Sequence, residues 1–481
     1  MKTSRALALI PFLMASTAMA EPATQAGADH LVQVFQTYLG ATAGVVAAKP
    51  NGDAYDLTLD ATPLLGLAKD QGVTGTITPL ELSLTDNGDG TWAVTMDQAI
   101  SIAVSKPDAF DMKEDIASQK LDGTFDEKLM TFSKVTGEFA GIKVSQTMQA
   151  AGTPPTSSEF SLDKGTLEAT AKAGAAGGVD TVATLTATGM TQTINPPAAE
   201  GQPAMPITAK AESLNETVTG TGFVFDGIYK TVAWVIAHPD EASKKADKAG
   251  LKTILTEAMP FFANLSGTGT ITKLSVDTPM GTVGLDEIAF TADINGAVQD
   301  GKFRESVSMK GLTLPAGLVP AWAAPVLPSK VSLDVQVTDF DAAGGLTAAL
   351  GYMDLPDGMA DTTALDAAVK AAFLPKSTVT ITLNPGAVTG DGYELTYQGS
   401  MIAGPDMPVP TGIAKVTLAG ADKLQAALNA APDDIKAQAM MGFGMATGMA
   451  KKDDKGNLEW DIDASKPGTV SVNGTPMMGG N

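Results

Sequence analysis

Apolar and polar residues alternate along most of this chain. Tyr55, Leu57 and Leu59 are separated by Asp and Thr, and the same spacing recurs at Leu80, Leu82 and Leu84 and at Trp92, Val94 and Met96. Successive side chains on a strand point to opposite faces, so each run predicts a strand with one apolar face. Between the last two runs lies Asp86-Asn87-Gly88-Asp89-Gly90, whose residues tolerate positive φ, and this predicts a β-hairpin over 76–100. The second half repeats the pattern at Val331 to Val337, Val379 to Leu383, Tyr393 to Tyr397, Leu458 to Ile462 and Val470 to Val472. Asn295-Gly296 and Asp391-Gly392 mark further turns. Between Leu285 and Ile288 the apolar positions change parity, which predicts a β-bulge at Asp286-Glu287.

Helical spacing is confined to a few segments. Leu31, Val34, Phe35 and Tyr38 predict a helix over 29–39, and Ile228, Val232, Val235 and Ile236 a second one, ended by Pro239. Asp240 then has the character of an N-cap, with Glu241 placed to pair with Lys245 and Pro260 closing the segment. Further helices are expected near 362–372 and 422–450, so that with 226–262 the second half holds most of them. Pro-, Gly- and Ser-rich loops at 151–158 and 195–206 suggest an organisation into a leader over 1–20 and two β-rich halves, 21–208 and 209–481. The helices are too few to cover every half-buried sheet. The expected fold is therefore mainly β with a few helices: a long curved antiparallel sheet or a β-sandwich-like body, with an open apolar trough as one outcome.

The first twenty residues change the expected location. Lys2 and Arg5, the apolar stretch 6–15 and Ala18-Met19-Ala20 have the layout of a secretory leader cleaved after Ala20, which implies the periplasm. That apolar stretch is about half the ~20 residues needed to span a bilayer, and no later uncharged stretch reaches that length, the best being 437–450, so no transmembrane segment is expected in the mature chain. The chain has no cysteine, which excludes disulfides, thiolate chemistry, Cys-ligated metals and a lipoprotein anchor. Acidic residues outnumber basic ones by 54 to 32, giving a net charge of −22 that disfavours nucleic acid and anionic headgroups as partners.

Candidate chemistry is sparse. Only His30 and His238 could serve a triad, and His238, just before Pro239, is better read as complementing a helix C-terminus. Asp86 to Gly90 invites a calcium reading, but aligning Gly90 with the EF-hand glycine puts Thr85 and Met96 where the first and last ligands belong. A turn is the simpler reading there and at Asp453-Asp454-Lys455-Gly456-Asn457. Met441, Met445 and Met449 fall on one helical face beside Met440. Ordinary packing is the default for such a stripe, a deformable apolar ligand surface the functional alternative, and soft-metal binding is disfavoured because no His or Cys accompanies it. Gly444 and Gly448 suggest close packing rather than association in lipid. Adjacent acids such as Asp286-Glu287 and Asp433-Asp434 are expected by chance in so acidic a chain. No nucleophile elbow, phosphate loop or dinucleotide fingerprint occurs, so neither catalytic residues nor a cofactor are assigned.

The segment Leu314-Pro-Ala-Gly-Leu-Val-Pro-Ala-Trp-Ala-Ala-Pro-Val-Leu-Pro328, leading into Val331 to Asp341, resembles a family of exported alphaproteobacterial proteins of unknown function, domain of unknown function twenty-one twenty-five. Its prolines resist helix and central strand, predicting a stiff crossing between β regions anchored in the core by Trp322. The ending Val470-Ser-Val-Asn-Gly474 is similar in style to AsmA-like envelope proteins, a resemblance that implies a long curved sheet associated with lipid traffic. The chain departs from that pattern in lacking a retained membrane anchor. The function expected is that of a non-enzymatic periplasmic envelope protein holding or passing an apolar ligand such as a lipid. The alternatives are an envelope structural or interaction protein acting on an unidentified partner through its acidic surface, and a carboxylate-based hydrolase.

Overall fold

A computed structural model describes residues 22–67, 69, 72–149, 153–197, 205–355 and 362–478. The expected leader lies outside these residues, as do parts of the 151–158 and 195–206 loops. Among the described residues strands make up 52% and helices 24%, and the strands join one antiparallel sheet of 21 that does not close into a barrel. Of the two architectures expected, the single long sheet is the one formed.

The sheet begins with β1 (Val46–Asn51) and β2 (Ala54–Leu59), followed by β3 (Thr74–Ile77) and β4 (Leu80–Asp86). Six long strands come next: β5 (Thr91–Lys106), β6 (Phe110–Asp126), β7 (Thr131–Met148), β8 (Thr156–Ala173), β9 (Val179–Asn195) and β10 (Ile207–Phe223). Then come β11 (Asn264–Thr278), β12 (Gly281–Asn295), β13 (Gly301–Lys310), β14 (Pro328–Phe340), β15 (Val379–Gly390), β16 (Tyr393–Ala403) and β17 (Thr411–Ala419). The last are β18 (Lys451–Lys452), β19 (Leu458–Ala464), β20 (Val470–Val472) and β21 (Thr475–Met478). From β5 to β17 each strand pairs with its sequence neighbours, so the body is a meander. β9 and β10 pair along most of their length, so the sheet runs unbroken across 208/209.

Helices fill the connections. The first, α1 (Gln25–Leu39), is capped by the Thr24 hydroxyl accepting from Gly27 N, and a short α2 (Thr62–Leu67) follows β2. Between β10 and β11 lie α3 (Phe225–Ala237), α4 (Glu241–Ala246) and α5 (Lys248–Ala258). Asp240 forms the expected cap as a reciprocal box with Ser243, but Glu241 pairs with Lys244 at 3.0 Å rather than with Lys245. A break at Asp247, which caps α5 through Gly250 N, divides the segment. Between β14 and β15 lie α6 (Ala342–Gly351) and α7 (Thr362–Phe373), and between β17 and β18 lie α8 (Ala421–Asn429) and α9 (Asp433–Gly448).

The 76–100 hairpin forms with its turn at 87–90, where Gly88 and Gly90 have φ of 77° and 86°. The expected bulge at Asp286-Glu287 does not, because β11 and β12 stay in step on both sides of it. Instead, pairing is interrupted along a line crossing seven strands, through Ala117, Gly141, Asp163, Gly189, Glu212, Lys273 and Asp286. Gly141, Gly189 and Lys273, on alternate strands, have φ of 65°, 67° and 51°. Apolar positions shift by three residues there on several of these strands, as from Phe139 to Ile142, from Ile271 to Leu274 and from Leu285 to Ile288. The parity change is thus one point on a crease across the sheet, and Lys273 faces Asp286 in a 2.7 Å ion pair.

Candidate functional site

Registers across the meander place side chains in rows perpendicular to the strands, because directly opposed residues share a face. One row is followed pair by pair from Val94 on β5 through Gly123, Val135, Ala169, Ala183, Val218, Gly267, Ala292, Glu305, Val335, Leu383, Gly399 and Ala414 to Ile462 on β19. It crosses 14 strands, about 62 Å at the usual ~4.8 Å strand spacing. A flanking row contains Leu167, Leu185, Glu216, Gly269, Phe290, Val307 and Leu333. On the other side run Leu265, Ile294, Phe303, Val337, Ile381 and Met401. Apart from Glu216 and Glu305 these inner rows are apolar, whereas the outer face of the same strands carries cross-strand ion pairs such as Lys310–Glu287 and Arg304–Asp334.

Helices cover the inner face at its two ends. Leu31 and Tyr38 of α1 pack with Tyr55, Leu57, Leu84, Trp92, Val94 and Phe125. At the far end Leu418, Leu458 and Tyr393 pack with Leu424 and Phe443. Over β11–β14 the face is open among the described residues, and Ile294, Phe303 and Leu333 are exposed. Only 25 apolar side chains are buried among the described residues, too few for a two-layer core of this length.

Glycines on the sheet are roofed by aromatic rings from the neighbouring strand. Gly165 faces Phe139, Gly269 faces Phe290, Gly301 faces Phe340, and Gly386 and Gly390 face Tyr397 and Tyr393. A Cβ at any of these five would fall within 2.6 Å of the ring, so glycine lets the aromatic lie flat along the sheet. Toward the C-terminal end the small residues open hollows on both sides of one layer of backbone. The inner hollow, about 290 Å³, is lined by Gly399, Gly412, Ala414, Leu383, Met401 and Ile462. The outer hollow, about 530 Å³, lies between Thr382, Ser400, Ile413 and Asp463 on one side and Asn384, Gln398, Lys415 and Asp461 on the other.

No family model, curated protein or solved structure matches this chain.

The residues singled out from the sequence are dispersed. Met441 and Met445 lie on the solvent side of α9, at 66% and 61% exposure, while Met449 caps the helix and is half-buried. The packing expected of that stripe is therefore not made by Met441 or Met445. Trp322 is half-buried and belongs to neither core cluster, so the Pro-rich crossing between β13 and β14 is not anchored through it. Tyr393 ties that crossing down instead, its hydroxyl donating to the Val326 carbonyl at 2.6 Å. Asp89 and Asp453 accept backbone N–H groups of their own turns, as the turn reading requires. Among the described residues no three His, Asp or Glu side chains gather closely enough to hold a metal, and no helix is long and apolar enough to cross a membrane.

Both histidines occupy the same setting. His30 stacks on Trp92 and its Nε2 lies 2.9 Å from Glu127 Oε1, which also accepts the Trp92 indole N–H at 2.6 Å. His238 stacks on Trp234, Asp247 accepts that indole N–H at 2.8 Å, and His238 Nε2 lies 3.6 Å from Asp247. His238 Nδ1 donates to the Trp234 carbonyl at the end of α3. The carboxylates satisfy indoles whose rings are buried. Burial, then Tyr229 and Glu127, push the neighbouring Tyr38 hydroxyl up to about 12, so it stays neutral. Neither constellation faces the open apolar rows. Sequence reasoning missed those rows because their small members carry no apolar alternation of their own.

Proposed function

We propose that this is a non-enzymatic protein of the cell envelope that binds or passes an apolar ligand, such as a lipid, along the inner face of its sheet. The observation that supports this most is the continuous row from Val94 to Ile462, which among the described residues is roofed at its two ends and open between them. An apolar sheet face ordinarily hides against a second layer. Here the second layer is absent over β11–β14 among the described residues, and apolar patches left open in this way mark binding surfaces. The leader-like 1–20 segment, with periplasmic export as its consequence, and the resemblance of 314–341 to exported proteins accord with a lipid-rich setting.

The test is uptake of a fluorescent apolar probe, N-phenyl-1-naphthylamine, by the purified protein, with mass spectrometry of solvent extracts. Leu333→Asp and Phe303→Asp place charge on partly exposed inner-face positions, where lost cross-strand packing and the low strand propensity of Asp should cost folding about 1 kcal/mol, so circular dichroism of each variant accompanies the uptake assay. Probe uptake should fall in both. A protein that extracts empty and takes up no probe refutes the proposal.

A further inference from the structure

Two charges stand on the otherwise apolar band of the inner face from β8 to β17, and neither has an ion-pair or hydrogen-bond partner among the described residues. Glu216 lies opposite Leu185 and Gly269, and Glu305 opposite Ala292 and Val335. The carboxylates of the outer face at the same level behave differently: Glu287, Asp293 and Asp334 each meet a lysine or arginine. Glu216 leans out of its own row toward the next, with Oε1 3.9 Å from where a Cβ on Gly267 would stand. Gly267, Ala292 and Glu305 are consecutive members of one row, so the Glu216 carboxylate beside Gly267 and the Glu305 position flank the exposed Ala292, with about 10 Å, two strand spacings, between the backbones of Gly267 and Glu305. Exposed Ile294 and Phe303 lie in the next row and exposed Leu333 in the row before.

An apolar floor between two unpaired anions complements an apolar chain that ends in a cation. Resting on the reading of this face as a ligand surface, we propose that its occupant is a single-chain amphiphile with an ammonium head. The head sits at Ala292 between Glu216 and Glu305, and the chain lies along the rows. A neutral or anionic head in the same place would leave both carboxylates without a counter-charge against an apolar surface. The competing reading is that inward-pointing charges keep two such faces from pairing with each other.

Dodecylamine below its micelle-forming concentration and dodecanol below its solubility limit share a chain and differ in head charge at neutral pH. Displacement of N-phenyl-1-naphthylamine from the full-length protein should occur at an about fivefold lower concentration of dodecylamine than of dodecanol, as for a half-exposed charge pair. Glu216→Gln with Glu305→Gln should remove that preference and leave dodecanol unchanged, while Glu159→Gln, an exposed acid outside these rows, should keep it. Glu305→Gln alone changes a side chain with no ion-pair or hydrogen-bond partner among the described residues, and should reduce the preference if the double variant does not fold. Dodecanol displacing the probe with no amine preference overturns the ammonium assignment but leaves the apolar-ligand proposal standing, and displacement by neither refutes both. A preference that survives the double variant, or a double variant that dimerises with its preference intact, assigns these acids to bulk charge or to blocking self-association and overturns the inference.

Discussion

Replacing Gly165 by alanine should destabilise β7–β8 in the native chain and stabilise it once Phe139 is removed. A Cβ on Gly165 would stand 2.1 Å from Phe139 Cε2, so the ring must leave the neighbouring strand it covers. Overpacking of this kind costs about 1–3 kcal/mol. The backbone φ at Gly165 is not in the left-handed region, so alanine is otherwise acceptable there. In the Phe139→Ala background the same substitution should gain about 0.4–1 kcal/mol by restricting the unfolded chain. The predicted coupling is therefore about 1.5–4 kcal/mol with a change of sign, which only a direct contact gives. Each strand contacts little beyond its neighbours, so parts of the sheet can open separately and a local readout reports this pair most directly. Amide hydrogen exchange of peptides covering 131–173, in the four members of the cycle, measures the local free energy. Equal cost for Gly165→Ala in both backgrounds would refute the ring-over-glycine argument, here and at Gly269 and Gly386.

Three other outcomes follow from contacts already described. Glu127→Ala leaves the Trp92 indole N–H without its acceptor in a site 3% exposed, and should lower stability by about 1–3 kcal/mol in thermal denaturation. An unchanged melting temperature would mean that the indole is satisfied without Glu127. Hydrogen bonding and charge from Lys273, and more weakly charge from Lys310, hold the Asp286 carboxyl below its ordinary value. A depressed carboxyl contributes stability above the ordinary carboxylate range and loses it as pH falls through its folded value. The stability difference between wild type and Asp286→Asn should therefore shrink between pH 6 and pH 3, and a difference that grows on acidification would contradict the pairing. Met441→Gln with Met445→Gln should leave stability within about 0.5 kcal/mol, since both side chains face solvent, and a larger loss in urea titration would show that the stripe is packed.

The sequence reading was most reliable where one residue type decides a local geometry. The 76–100 hairpin follows from Asp86 to Gly90, the stop of α3 from Pro239, and the start of α4 from Asp240. It was weakest over β6–β10, where Thr, Ser, Gly and Ala fill strands whose alternation is carried by a few large residues. α6 escaped notice because Ala342-Ala-Gly-Gly345 offers no apolar stripe, although Asp341 caps it at Gly344 N. The parity change at Leu285 was visible, but reading one strand gives a bulge, whereas only the aligned neighbours reveal a crease. The open face was legible in outline, as too few helices for too many one-faced strands. Glu216 and Glu305 were not, because a lone acid in an acidic chain has no meaning until its register is known.

That register carries a last consequence, because a sheet stabilised only by neighbouring strands should tolerate the loss of a pair. Deleting residues 153–197 removes β8 and β9 and leaves β7 to meet β10. Both keep their direction, since an antiparallel meander repeats every two strands. Following the rows across the excised pair, Ile142 would face Ala211, Val135 would face Val218, and Gly141 would face Glu212. The last pairing matters most, because Gly141 now lies opposite Asp163 and Glu212 now lies opposite Gly189. A left-handed glycine would again meet an acid, and the crease would close without a gap. The shortened chain should keep the circular dichroism of a β protein and lose about 10 Å of apolar face, two strand spacings. Probe uptake should fall with that length rather than vanish. A soluble, monomeric deletion variant with full β content supports a modular sheet, and a product that aggregates or lacks β structure shows that the 21 strands fold only as a whole.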